Sequence, residues 1–208
     1  MTRHEHEETV HVVQDGYTLD TLGAPFSVVL FDGYELRVDP KTGEEVVNVI
    51  DMIGLIGAVV RSRVEHPRKL SGQEIKFVRD AVGVKAKVLA EFLGMTPEHL
   101  SRCENGSKVM SMPSEKLFRV STWAATLLKE PADAFVLPTE EQFAGMKNEL
   151  KDGAAKQLNN LFSSLFSIKI DPVYPVNDEP LKFEFRRVKM TTEGAGDDDN
   201  WSPEIRAA

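Results

Sequence analysis

The sequence predicts an α+β protein: an all-α module in mid-chain, preceded by a small antiparallel β-rich domain and followed by a helix plus a β-hairpin. Three observations predict it. Between Pro25 and Ile50 the apolar run Phe26 to Phe31, the alternating stretch Tyr34 to Val38 and the run Val46 to Ile50 are separated by the turns Asp32-Gly33 and Asp39 to Gly43. From Ser71 to Leu128 the apolar spacing is helical, interrupted only by short glycine- and cap-marked turns. Beyond Pro138 a helical pattern over 140–166 gives way to two alternating stretches, 167–174 and 181–188.

Each segment has its own justification. Residues 1–20 are polar and rich in acids and histidines, and read as a flexible tail. Residues 21–67 form the β-rich domain with a linking helix. Phe26 to Phe31, Tyr34 to Val38 and Val46 to Ile50 are its strands, expected as one three-stranded antiparallel sheet. Asp51 is placed to cap a helix whose stripe is Met52, Ile53, Leu55, Ile56, Val59, Val60 and Val64, and Pro67 ends it. Residues 68–136 are the helical module. Residues 139–190 are the helix and hairpin extension, and 191–208, with Asp197-Asp-Asp199, an acidic disordered tail.

Composition excludes several classes. The 208 residues carry 25 Lys and Arg against 33 Asp and Glu, a formal net charge of −8, so the whole surface does not suit a polyanion. The charge is uneven. Arg68 to Asp133 holds 11 basic and 8 acidic residues, a net of +3 inside an acidic chain. One cysteine rules out an intramolecular disulfide and a cysteine-rich zinc site. The apolar stretch Val46 to Val60 is too short and too interrupted to span a bilayer, and the amino terminus lacks the apolar core of a signal peptide. A cytoplasmic protein without membrane association is expected. No nucleophile elbow, phosphate loop or His-Glu-x-x-His motif is present, and no enzyme activity, cofactor or metal is expected. His4, His6 and His11 lie in the tail, where metal binding is adventitious.

The informative segment runs from Leu70 to Gly106. Ser71 with Glu74 three residues on is a capping box. Ile75, Val78 and Val82 give the first helix its stripe, and Gly83 stops it. Val84, Val88, Leu89, Phe92 and Leu93 bury one side of a second, short helix, and Gly94 suits a left-handed C-cap. Thr96 then caps a third helix with Pro97 in its first turn, and Asn105-Gly106 closes it. Helix, tight glycine turn, capped helix is the order of a helix-turn-helix. Leu100 and Cys103 are the apolar positions of the third helix. Thr96, Pro97, Glu98, His99, Ser101, Arg102 and Asn105 remain on its outer side as candidate base readers, with the helix amino end turned to phosphate. Lys69, Lys85, Lys87 and Lys108 are candidate phosphate contacts.

This segment closely resembles the Xre-like helix-turn-helix of Cro and phage repressors. The resemblance covers Leu70 to Leu127 and is strongest at Leu89-Ala-Glu-Phe-Leu-Gly94 and Thr96-Pro-Glu-His-Leu-Ser-Arg-Cys-Glu-Asn-Gly106. Two positions depart from the family pattern: Cys103 stands where an aromatic residue is common, and Ala86 where a glutamine is frequent. The resemblance implies a DNA-binding transcriptional regulator, a dimeric repressor on an inverted repeat. The layout also resembles MqsA-type antitoxins, without the zinc cysteines, since the turn is Asp39 to Gly43 here. That second resemblance implies an alternative role, as an antitoxin that binds a toxin protein and autoregulates its operon. Double-stranded DNA, a second copy of the chain and a toxin are thus the expected partners. Leu117, Val120, Trp123, Ala124 and Leu127 follow at helical spacing, as core or as a dimer surface. Cys103 reads as core packing, with a redox switch favoured only if Arg102 lowers its pKa.

Overall fold

The computed structural model describes residues 16–39, 41–126, 163, 170, 180–189 and 199–204. It is a mixed α+β structure that divides into two compact units, one of residues 1–59 with 180–208 and one of residues 60–179. The helix expected over 140–166, and Leu127, fall outside the described residues.

In the first unit, β1 (Tyr17–Thr18), β2 (Ser27–Leu30), β5 (Lys182–Lys189) and β6 (Asp199–Glu204) make one sheet in the order β1-β2-β5-β6. β3 (Tyr34–Val38) and β4 (Glu45–Val49) make a separate antiparallel pair. Two expectations are corrected here. The three-stranded sheet does not form, because β2 pairs with β1 on one edge and runs parallel to β5 on the other, Ser27 opposite Lys182 and Leu30 opposite Phe185. Val28, Val29 and Leu30 are accordingly all buried, as a continuous apolar run in a central strand requires. β5, expected as one strand of a C-terminal hairpin, pairs with β2 and β6 among the described residues; the other strand of that hairpin, 167–174, falls outside them apart from Ile170. The acidic tail is not all tail, because Asp199–Glu204 is a strand and Trp201 is buried.

Trp201 explains Gly33. The backbone there has φ +72°, and an added Cβ would lie 2.5 Å from the indole Cη2. The indole Nε1–H donates to the Asp51 carbonyl at 3.1 Å. Asp51 caps the next helix as expected, its Oδ1 accepting from the Gly54 N–H at 3.0 Å. That helix, α1 (Met52–Glu65), has Leu55, Val59, Val60 and Val64 as its buried stripe.

The second unit contains α2 (Gly72–Ala81), α3 (Ala86–Phe92), α4 (Pro97–Glu104) and α5 (Met112–Ala125). The capping box of Ser71 and Glu74 is present in both directions. Its core is Leu70, Ile75, Val78, Leu89, Leu100, Cys103, Phe118 and Trp123. α4 packs on α2 and on α3.

Beside this apolar core lies a buried ionic one. Arg63 is fully buried and grips both oxygens of Glu74, at 2.7 and 2.9 Å, while donating to the carbonyls of Arg68 and Lys69. Glu115, also fully buried, accepts from Lys69 Nζ at 2.6 Å, from the Leu70 N–H at 2.9 Å and from Arg119 Nη2 at 2.8 Å. Arg119 reaches the carbonyls of Val64, His66 and Arg68 as well. The carbonyls of His66, Arg68 and Lys69 are thus satisfied by guanidinium groups rather than by regular secondary structure.

His66 sits in this segment and accepts the Arg68 N–H on Nδ1 at 3.2 Å. Burial first, then the neighbouring charges of Arg63, Arg68 and Arg119, hold its imidazole below the ordinary value of 6.5, with Glu74 pulling weakly the other way. The unfolded chain therefore binds the proton first as pH falls. Stability is full above 6.5, declines on acidification through that value and levels off below the folded-state pKa. His66→Asn keeps the acceptor and removes the titration. Urea unfolding followed between about pH 8 and 5 is expected to show a shallower acid loss in that variant than in the native chain. Equal slopes would refute the assignment.

Candidate nucleic-acid interface

The candidate surface is assembled by α3, the turn at Gly94 and α4. Gly94 has φ +65°, the left-handed conformation that ends α3 without a penalty. Its N–H donates to the Glu91 carbonyl at 3.1 Å. Thr96 caps α4, its hydroxyl accepting from the His99 N–H at 3.2 Å, with Pro97 in the first turn. Leu100 and Cys103 are buried, at 0% and 1% exposure, and so fix which side of α4 faces outward.

On that outer side Thr96, Pro97, Glu98, Ser101, Arg102 and Asn105 are exposed and His99 is half-buried. Asn105 ends the helix, and its Oδ1 accepts from the N–H of Ser107 at 3.0 Å and from the Ser107 hydroxyl. Its side-chain carbonyl is thereby committed to the turn, so a pairing with adenine would have to break this contact. Lys85 and Lys87, at the start of α3, and Lys108, just beyond α4, are exposed.

One expectation is corrected. Lys69 is 6% exposed, and its ammonium is held by Glu115 and by the Met110 carbonyl, so it is not a phosphate contact. The Glu98 carboxyl is held below its usual value by its own amide and by the Thr96 hydroxyl, with Arg102 adding a smaller pull. That carboxylate already complements the positive end of the helix. Cys103 is not an activated thiol. Burial pushes it above its ordinary value, and Glu104 adds to this against Lys108 and Lys69. It packs as a small apolar side chain.

The residues that orient α4 were not evident from their spacing. Arg79 on α2 donates from Nε to Glu104 Oε1 at 2.6 Å and from Nη2 to Oε2 at 3.3 Å, a two-pronged clasp on the last turn of α4. Its Nη1 also donates to the Val84 carbonyl at 3.1 Å, where the chain enters α3. One guanidinium therefore joins α2, the turn that leads into α3, and the last turn of α4. Gly72 makes a second junction. Its absent side chain lets α2 begin against the backbone at the end of α4.

No family model, curated protein or solved structure matches the chain. Among the described residues no helix is long and apolar enough to cross a membrane.

Proposed function

We propose that this chain is a sequence-specific DNA-binding transcriptional regulator of Xre-like helix-turn-helix type, acting in the cytoplasm as a dimeric repressor on an inverted repeat. The observation that carries the reading is the split of α4 into two sides. Leu100 and Cys103 are closed off in the core, while Ser101 and Arg102, their chain neighbours, stand in solvent on a helix held by Arg79 and Gly72. A rigidly seated helix with an exposed, hydrogen-bonding outer side is what base reading in the major groove requires. Arg102 is assigned to a guanine edge, Ser101, His99 and Glu98 to neighbouring edges, and Lys85, Lys87 and Lys108 to phosphates.

Selection of genomic fragments by the full-length protein is expected to enrich an inverted repeat. Against that repeat, Arg102→Ala is expected to lose about 1–3 kcal/mol and to relax preference at one base position. Lys87→Ala is expected to weaken all sequences alike and to reduce the salt slope by about one unit. Retention that is sequence-blind and unaltered by Arg102→Ala would overturn the reading and direct attention to a protein partner such as a toxin.

A further inference from the structure

The unit of residues 1–59 and 180–208 exposes an edge that the DNA reading does not use. Five of the eight large apolar side chains named as exposed in the described residues fall within Val38 to Ile53: Val38, Val46, Ile50, Met52 and Ile53. They surround β4, whose only strand neighbour among the described residues is β3. The register fixes which backbone groups of β4 are spent. The Asp39 N–H donates to Glu44 O and the Ile50 N–H to Gly33 O, so by alternation Val46 and Asn48 exchange bonds with β3. Glu45, Val47 and Val49 then turn their N–H and C=O groups to the other edge. The outer edge of β3 differs, since Tyr34 and Leu36 there are buried, whereas of the outward residues of β4 Glu45 is exposed and Val47 and Val49 are half-buried.

An open edge is usually guarded by proline, lysine or a bulge. Glu-Val-Val-Asn-Val, residues 45–49, has no proline or lysine and pairs with β3 without a bulge. We infer that β4 is a pairing edge and that its occupant is β4 of a second copy of this chain, running antiparallel about a two-fold axis through Val47.

The self-pairing is specific in register. Centred on Val47, it sets Val47 opposite the partner's Val47 and Glu45 opposite the partner's Val49. All three outward residues of each strand then bond, giving about six ladder bonds, whereas a shift of one residue leaves about four. The charges agree with it. Glu45, the strand's only ionised side chain, meets valine and not its own copy. Arg37, salt-bridged to Glu35 of its own strand at 3.0 Å, and the partner's Glu35 lie at opposite ends of each transverse row, so no like charges face each other across the axis. An antiparallel pair of one strand with itself has the closed two-fold symmetry of a dimer. A strand of this length buries less than the roughly 1,200 Å² of a standard interface, so the pairing is weak and concentration-dependent.

The inference rests on the strand edge, independently of the DNA reading, and its test uses no DNA. Sedimentation velocity of the full chain is expected to show the mean mass rising from one chain toward two between about 1 μM and several hundred μM. Val46→Lys combined with Asn48→Lys sets ammonium opposite ammonium on both sides of the axis, at two positions exposed in the single chain. The association constant is expected to drop at least about tenfold with the thermal midpoint and circular dichroism unchanged. Val46→Cys combined with Asn48→Cys sets thiols across a non-hydrogen-bonded pair at about 4.5 Å between Cα atoms, within disulfide reach. Mild oxidation is expected to give a covalent dimer and no polymer, with the buried Cys103 uninvolved. A chain that stays monomeric throughout, or a dimer that ignores the lysine pair and does not crosslink, would overturn the inference. So would crosslinking into open chains.

Discussion

Glu115→Ala is expected to destabilise the helical unit by about 3–5 kcal/mol, the cost of leaving buried cations without their counter-ion. Glu115 is fully buried and accepts from Lys69, Leu70 and Arg119 at once. Its removal strands an ammonium that is 6% exposed and a guanidinium that is 2% exposed. It also frees the Leu70 N–H at the entry to α2. The wild-type network has three cations, Arg63, Lys69 and Arg119, against two carboxylates, Glu74 and Glu115. Losing one carboxylate raises its excess positive charge from one to two. Lys69→Met is the informative contrast. Arg119 still holds Glu115 Oε1 there, the aliphatic stem is replaced by one of similar volume, and Glu115 Oε2 and the Met110 carbonyl lose the ammonium donor. That variant is expected to lose about 2–3 kcal/mol, two unmade buried hydrogen bonds with no cation left unpaired, and to bind DNA with unchanged salt slope. Guanidinium unfolding followed by the fluorescence of Trp123, whose indole donates to Glu65 in the same unit, reads both. Comparable losses in the two variants would show that Glu115 is not the centre of the network.

The distance along the chain over which a contact acts decides what was legible in the sequence. Ser71 with Glu74, Thr96 with Pro97, and the glycines at 83 and 94 act over three or four residues, and each does in the structure what its local chemistry implies. The helical half of the fold follows from them. The buried charges were hidden because their partners are remote. Lys69 and Glu115 are 46 residues apart, and a lysine read by itself belongs on the surface. Glu74 was legible as half of a capping box but not as the ligand of Arg63, which approaches from α1. Glu115 and Arg119 did offer a signal, four residues apart on one side of α5, where an ion pair forms within a helix. The sheet failed for the same reason. Asp32-Gly33 favours a hairpin between its neighbours, yet the edge of β2 is won by β5, more than 150 residues later, whose Phe185 is fully buried in register with Leu30. Turn chemistry ranks the local alternatives and is blind to a parallel partner at that separation. For the candidate interface, the outward set on α4 follows from two apolar positions, whereas the removal of Lys69 follows only from packing.

Gly72 is where backbone propensity and packing make opposite forecasts, so its substitution tests which one governs this junction. Gly72 begins α2, and alanine at a helical position usually gains up to about 1 kcal/mol over glycine. Here an added Cβ would lie 2.5 Å from the carbonyl oxygens of both Cys103 and Glu104 and 2.7 Å from the Gly106 nitrogen. All three are backbone atoms at the end of α4, and none can rotate aside. Relief requires α2 and α4 to separate by several tenths of an ångström, against the Arg79–Glu104 clasp, which spans the same two helices. Overpacking of this kind costs about 1–3 kcal/mol, enough to reverse the propensity gain. Gly72→Ala is therefore expected to lower the unfolding midpoint. It is also expected to weaken DNA binding in the folded state, because the displaced segment includes Arg102, whose carbonyl accepts from Lys108 N–H at 2.9 Å in the turn that follows. Pairing it with Glu104→Gln, which loosens the clasp, should produce less than the sum of the two separate losses, since each change relieves the constraint the other opposes. A Gly72→Ala protein as stable as the wild type would mean that α4 is held by its apolar residues alone, and that the glycine is there for the chain's entry into α2.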